Sequence, residues 1–273
     1  RQMCIRDRND SIHNRLRKSI LQEAIQGKLV PQIPEERTAQ ELLEQIRQEK
    51  QKLVKEGKLK KFALSDSVIY KGDDNKYYEQ VGKSDKEITE EIAFDLPNGW
   101  SWCRLKDICS IFTGATFKKE ETVTTKEGVR ILRGGNISPF ELRIKDDDIF
   151  LTKDKVKEDI ILKENDILTP AVTSLENIGK MVRVNSDMPN TTVGGFVFII
   201  RLYLKNQWLS KYILYLLSSP FMIDFMKSIT NKSGQAFYNI GKERLSTALL
   251  PIPSLAEQHR IVAQIEKLFE QLR

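Results

Sequence analysis

The sequence predicts an α+β fold: one mixed α/β domain flanked by long helices that pair as an antiparallel coiled coil. Three observations carry this expectation. Two stretches near the start and one at the end repeat apolar residues at helical spacing among charged ones. The middle holds short apolar runs of strand length, and polar, glycine-containing loops separate those runs.

Ile12, Leu16, Ile20, Ala24 and Ile25 recur with helical spacing, and Gly27 and Pro31 close that helix. Thr38 opens a second helix, with Glu41 three residues on completing a capping box. Its stripe is Ala39, Leu42, Leu43, Ile46, Leu53 and Val54, set among Glu, Arg, Gln and Lys. Thr38 to Glu56 amounts to roughly 28 Å of helix. The plainer reading of this stripe is a solvated surface helix packed on its own domain. Residues 62–98, with Ile69-Tyr-Lys-Gly-Asp-Asp-Asn-Lys-Tyr-Tyr78, read as a strand and turn leading into an acidic linker. Asp73-Asp74-Asn75 is turn chemistry, because its carboxylates lack further ligands at calcium-loop spacing.

The domain proper opens at Trp100 and Trp102, whose alternation puts both rings on one face of a strand, as core. Strand-like runs follow at Val129 to Leu132, Ile149 to Leu151, Asp166 to Leu168, Lys180 to Val184 and Gly195 to Arg201. Leu209 to Leu217 and Phe221 to Ile229 read as helices separated by Pro220. After the apolar run Leu249-Leu-Pro-Ile-Pro253, Ile261, Ile265, Leu268 and Leu272 fall at steps of four, three and four, the seam of a coiled coil.

The 273 residues suffice for one large domain or two modest ones, and 40% hydrophobic and 8% aromatic content argue for a globular chain. The net charge of +6 permits a polyanionic partner without requiring one. Its distribution says more. Residues 1–61 hold 15 basic and 9 acidic side chains, residues 62–98 hold 4 and 9, residues 99–252 hold 22 and 17, and the tail balances at 3 and 3. An acidic bridge thus separates a basic helical arm from a basic domain, and such a bridge belongs away from phosphate. Cys4, Cys103 and Cys109 form no Cys-x-x-Cys pair, and only His13 and His259 stand by as partners, so neither a disulfide framework nor a zinc site is supported. The longest uncharged runs, Tyr212 to Ile223 and Met188 to Ile200, fall short of the roughly 18 residues of a membrane span. The expectation is a soluble protein of the cytoplasm, with no membrane partner.

The loops carry the candidate recognition chemistry. Thr116, Lys118 and Lys119 follow Gly114, and Arg133 and Asn136 flank Gly134-Gly135. Thr173, Ser174, Asn177 and Lys180 surround Gly179, while Lys232, Ser233, Gln235, Tyr238 and Asn239 surround Gly234. Amides read an adenine edge in two hydrogen bonds, Arg and Lys reach guanine or phosphate, and Tyr donates to phosphate or stacks. From composition alone an ordinary set of polar turns explains the same residues.

Catalysis finds no support. No Asn-Pro-Pro-aromatic tetrapeptide, Gly-x-Gly-x-x-Gly loop or Gly-Lys-Ser/Thr phosphate loop is present. The two histidines lie in helical segments, which leaves no Ser/His/Asp set. Asp146-Asp147-Asp148, the only dense acidic run, lacks the paired acidic-x-Lys element of a metal-dependent nuclease and reads as a solvated turn.

From about Ile12 onward the chain resembles part of the specificity subunit of a type I restriction-modification system. The motifs, in order, are Leu29-Val-Pro31, Gly57-Lys-Leu-Lys60, Pro97-Asn-Gly-Trp-Ser-Trp102 with Leu105, Gly114-Ala-Thr116, Ile131-Leu-Arg-Gly-Gly-Asn-Ile137, Asp166-Ile-Leu168, Ile178-Gly-Lys180, Gly234-Gln-Ala236, and Pro251-Ile-Pro253 with Glu257-Gln258 and Arg260-Ile-Val262. Each is weak alone; their order is the signal. The resemblance implies a non-catalytic subunit whose recognition domain reads one half of a bipartite, asymmetric target in double-stranded DNA. It implies helices that hold two such domains apart and dock the methyltransferase subunits, with Leu42, Ile46 and Leu53 facing Ile261, Ile265, Leu268 and Leu272. S-adenosylmethionine, ATP and Mg2+ would then reside on the methyltransferase and restriction/translocase subunits, and this chain would bind no cofactor.

The implied organisation is a helical arm (12–61), an acidic linker (62–98), a target-recognition domain (99–252) and the start of a C-terminal helix (253–273). Residues 1–11 do not match the family, and their first eight resemble translated adapter sequence. With one recognition domain and a seam that stops at Arg273, the chain reads as a fragment of a longer subunit or as a half-length subunit that dimerises. Two other readings stay open: the recognition domain of a fused single-chain restriction enzyme, and a helical protein-interaction module without DNA specificity.

Overall fold

The computed structural model describes residues 2–123, 127–234 and 236–272, with residues 2–10 and 62 described by backbone alone. Helix α1 (Gln2–Ile25) begins ahead of the segment that resembles the family and ends at Gly27, whose φ of +69° suits a residue without a Cβ. Helix α2 (Ala39–Lys55) starts at Thr38, whose Oγ1 accepts a bond from Glu41 N at 3.5 Å, as the capping pattern predicts.

Residues 62–98 fold more fully than a linker. Strands β1 (Ser67–Lys71), β2 (Tyr77–Val81) and β3 (Ser84–Glu87) form an antiparallel sheet, with the β1–β2 turn at Asp73-Asp74-Asn75. Strand β4 (Ser101–Arg104) and the single turn α3 (Leu105–Ile108) lead into β5 (Cys109–Thr113). The tryptophans are both buried, but their rings enter different clusters. Trp102 packs with Ile88 and Leu249, whereas Trp100 joins the main core, because the chain turns at Gly99 (φ +83°) and the strand alternation does not extend back to it.

Short strands follow: β6 (Thr122–Val123), β7 (Val129–Leu132), β8 (Ile137–Ser138), β9 (Glu141–Leu142), β10 (Ile149–Leu151), β11 (Ile167–Pro170), β12 (Val172–Thr173), β13 (Val182–Arg183), β14 (Thr191–Val193) and β15 (Val197–Leu202). Helices α4 (Gln207–Leu217) and α5 (Pro220–Ser228) come next, Pro220 sitting in the first turn of α5 where its missing N–H costs nothing. The chain closes with β16 (Thr230–Ser233), β17 (Phe237–Ile240), α6 (Lys242–Ser246), β18 (Leu249–Ile252) and α7 (Leu255–Gln271).

Two four-stranded sheets share a layer of side chains. One has the order β14-β7-β10-β6, the other β13-β11-β15-β5. Strand β15 is apolar from Val197 to Ile200 because both its faces are covered: Val197 and Ile199 face the cluster between the sheets, while Phe198, Ile200 and Leu202 face the main core with the helices. Strand β18 pairs with β4, so the two ends of the domain close on each other.

Helix α7 packs on α4 and α1. It runs antiparallel to α1, since Arg17 donates to the Leu272 carbonyl at one end while Trp100, beside Gly27, donates to Glu257 at the other. The expected pairing partner was α2, and here the structure differs. Leu42 and Ile46 are buried in the domain core, Leu53 is half-buried, and the α1–α2 connection reaches α7 through a two-pronged Arg260–Glu36 ion pair. Ile261 and Ile265 are likewise fully buried, with Leu268 and Leu272 half-buried further along. Among the described residues no helix is long and apolar enough to cross a membrane.

Candidate nucleic-acid interface

The strand directions gather the loops at one edge. Strands β7 and β14 run parallel, so Arg133 and Gly194 emerge together. Strands β11 and β5 run antiparallel to β15, which places Ala171 and Gly114 beside the start of that strand. Backbone bonds stitch the segments laterally: Ala115 N to Val193 O (2.8 Å), Gly194 N to Leu132 O (2.8 Å), Ala171 N to Phe196 O (2.8 Å) and Ile240 N to Ala171 O (2.9 Å). Gly114 is required here, because a Cβ on it would lie 2.2 Å from the Val193 carbonyl oxygen.

The 230–240 segment is a hairpin, β16 and β17 turning at Gly234 (φ +73°), and β12 adds a third strand to it. Register divides its side chains between two faces. Val172, Asn231, Ser233, Phe237 and Asn239 share one face, and Thr173, Lys232, Tyr238 and Ile240 share the other. Ile240 is buried and anchors the base, while Asn231, Lys232, Ser233, Phe237 and Asn239 are exposed. The side chains of Asn231, Lys232, Ser233, Tyr238 and Asn239 make no hydrogen bond or salt bridge to a described residue. Gln235 lies outside the described residues.

The remaining candidates sort by what they touch. Thr116, Lys118 and Lys119 are exposed, with the Lys118 N–H bonded to Glu121 Oε2 in a single turn of 3-10 helix. Arg133 is exposed and donates to the carbonyl and carboxylate of Asp147. Asn177 donates to Ser174 Oγ, and Lys180 follows Gly179 half-exposed and without a described ion-pair partner. Thr173 is buried on β12, beside Tyr238 on the same face of the sheet.

Asn136 is a correction. It is 1% exposed, its Oδ1 accepts from Arg133 N at 2.7 Å, and its Nδ2 donates to the Arg143 carbonyl and to Asp148 Oδ1. Its amide locks the loop and has nothing left to offer a base edge. Asp148 belongs to the same lock and is not the solvated turn expected of the acidic run: its buried carboxylate accepts from Arg130, Asn136 and Lys145 N. Burial alone would raise that carboxyl, but the three donors together hold it below the usual carboxylate range.

Two exposed aromatics at this edge escape a reading by residue type, Phe196 at 73% and Phe237 at 56% exposure. Phe196 continues without a break into the apolar run of β15, which disguises it as core; the signal was Gly194-Gly195 directly before it. No cluster of three or more potential metal ligands exists among the described residues.

The chain is 32% identical to the type I restriction enzyme EcoAI specificity subunit of Escherichia coli, over 93% of this chain and 39% of that protein. It is 27% identical to the Escherichia coli EcoEI specificity subunit, over 93% and 40%. It thus spans about two fifths of the length of the curated relatives it matches. The crystal structure of the HsdS subunit from Thermoanaerobacter tengcongensis superposes with a TM-score of 0.47 at 21% identity, over 86% of this chain and 49% of that one. A family model described as type I restriction modification DNA specificity domain matches residues 97–273. That match covers strands β4 to β18, with the hairpin, and α7, and the chain belongs to this family.

Proposed function

We propose that this chain reads one half of a bipartite, asymmetric target in double-stranded DNA, as the recognition part of a type I restriction-modification complex. The observation that carries the reading is the convergence of four strand ends and the 230–240 hairpin on one edge, with a set of polar side chains left unpartnered there. Lys118, Lys119, Lys180 and Lys232 supply phosphate contacts, which set affinity and salt dependence. Thr116, Arg133, Asn177, Ser233, Gln235, Tyr238 and Asn239 supply base-edge contacts, each worth about 1 to 3 kcal/mol of discrimination. Thr173, buried beside Tyr238 in the same sheet, does not meet DNA itself.

The chain carries no catalytic residues of its own in this reading. Methyltransferase subunits bring S-adenosylmethionine chemistry to adenine, and a restriction/translocase subunit brings ATP and Mg2+. The helices are the docking elements. Ile12 and Leu16 of α1 are 39% and 45% exposed, and Leu268 and Leu272 on the antiparallel α7 are only partly covered, so a coiled-coil continuation has apolar surface to use there. The complex works in the cytoplasm, where its DNA is.

Selection of bound duplexes from a random pool tests this reading, with the chain copurified with a type I methyltransferase subunit from the same source. The expected result is enrichment of one short motif, or of a mirrored pair at fixed spacing if the chain dimerises through its helices. Copurification without enrichment would contradict the reading function, and failure of both would leave a protein-interaction module.

A further inference from the structure

Of the large apolar side chains described, Phe196 is the most exposed, at 73%, although Val197 and Phe198 next to it are buried. Its backbone is fixed on three sides: Gly194 N bonds to Leu132 O (2.8 Å), Val197 N to Gly194 O (2.9 Å) and Ala171 N to Phe196 O (2.8 Å). No side chain flanks it on the N-terminal side, where Gly194 and Gly195 keep the surface low; a Cβ on Gly195 would already lie 3.0 Å from Thr116 Oγ1. A ring held in water on a rigid turn contributes little to folding, and this one stands between the Thr116 loop, the Arg133 loop and the hairpin.

We propose that Phe196 reads the 5-methyl group of a thymine in the major groove. The inference rests on the DNA-reading function above and names one of its specificity-determining residues. The amides, hydroxyls and guanidinium around Phe196 distinguish donors from acceptors on base edges, and the small methyl of Thr116 is the one apolar group they add beside the ring. The thymine methyl is the apolar feature of the major-groove edge, and an apolar side chain is what recognises it. Of the two exposed rings at this edge, Phe196 is more exposed than Phe237 and is the one held between the loops, and it supplies that apolar element.

The test uses the copurified complex and its selected duplex, with each thymine replaced in turn by uracil, which removes only the methyl group. The wild-type complex should lose about fourfold in affinity at one position, the effect of burying one methyl group. Phe196→Ala should weaken binding to the thymine duplex and bind thymine and uracil duplexes equally at that position, with an unchanged melting temperature. A selected motif lacking thymine overturns the proposal. So does a wild-type complex indifferent to uracil everywhere, or a uracil penalty that survives Phe196→Ala. If Phe196→Ala weakens binding without any uracil effect, and 2-aminopurine in the duplex brightens only with wild type, the ring is a wedge between bases and the methyl assignment is wrong. Failure to select any motif would instead strike the reading function itself.

Discussion

Two small antiparallel sheets stand out from the body of the molecule, and they use their polar groups in opposite ways. Around the β1–β2–β3 sheet many of the charges are paired with one another. Arg104 is held by both oxygens of Glu79 and by Glu91, Lys76 pairs with Glu87, Lys86 with Glu91 and Lys71 with Asp95. In the β12–β17–β16 sheet, two amides, two hydroxyls and a lysine have side chains without described partners. Burying a charge is costly unless it is paired, so the first arrangement is structural. Unpartnered polar groups on a surface wait for water or a ligand, and on a sheet edge flanked by further loops the proposed ligand is DNA.

The largest way to break the comparison is Arg104→Met. It strands Glu79 in a buried position and should cost about 3 to 5 kcal/mol of stability, measured by urea unfolding, while the folded fraction keeps its DNA preference. A lost preference at unchanged stability would make the acidic sheet a reader.

Next comes the lock behind Arg133. Asp148→Asn leaves Arg130 underpaired and should cost about 1 to 3 kcal/mol at neutral pH. The sign of its pH dependence follows from the lowered carboxyl: its contribution is complete above the ordinary carboxylate range and fades as the pH falls through the folded value. Acid unfolding profiles should therefore converge for wild type and variant at low pH and separate toward neutrality.

Asn239→Ala sharpens the other side. It should relax base preference by about 1 to 3 kcal/mol at one position, read by competition among duplexes, and leave stability within about 0.5 kcal/mol. Smallest of all, Lys119→Ala should weaken every duplex alike and reduce the slope of log affinity against log salt by about one.

Much of this division is legible in the residues, and the exceptions have physical causes. The runs at Val129, Ile149 and Ile167 announce their strands because apolar residues of strand length lie between polar loops. Strand β3 is silent because Ser84-Asp-Lys-Glu87 is wholly exposed and carries no apolar residue. Asn136 looks like a reader because the same amide serves a base edge or a loop lock, and only burial tells them apart. The α2 stripe looks like a coiled-coil seam because a helix packing on its own domain has the same period as one packing on a partner. Phe196 hides in an apolar run whose strand starts one residue later.

Amide hydrogen exchange on the copurified complex, with and without its selected duplex, tests the central claim most directly. DNA should slow exchange in residues 114–119, 171–177, 194–196 and 230–239, and leave β1–β2–β3 unchanged. Protection of residues 67–87 with none in the hairpin would contradict it.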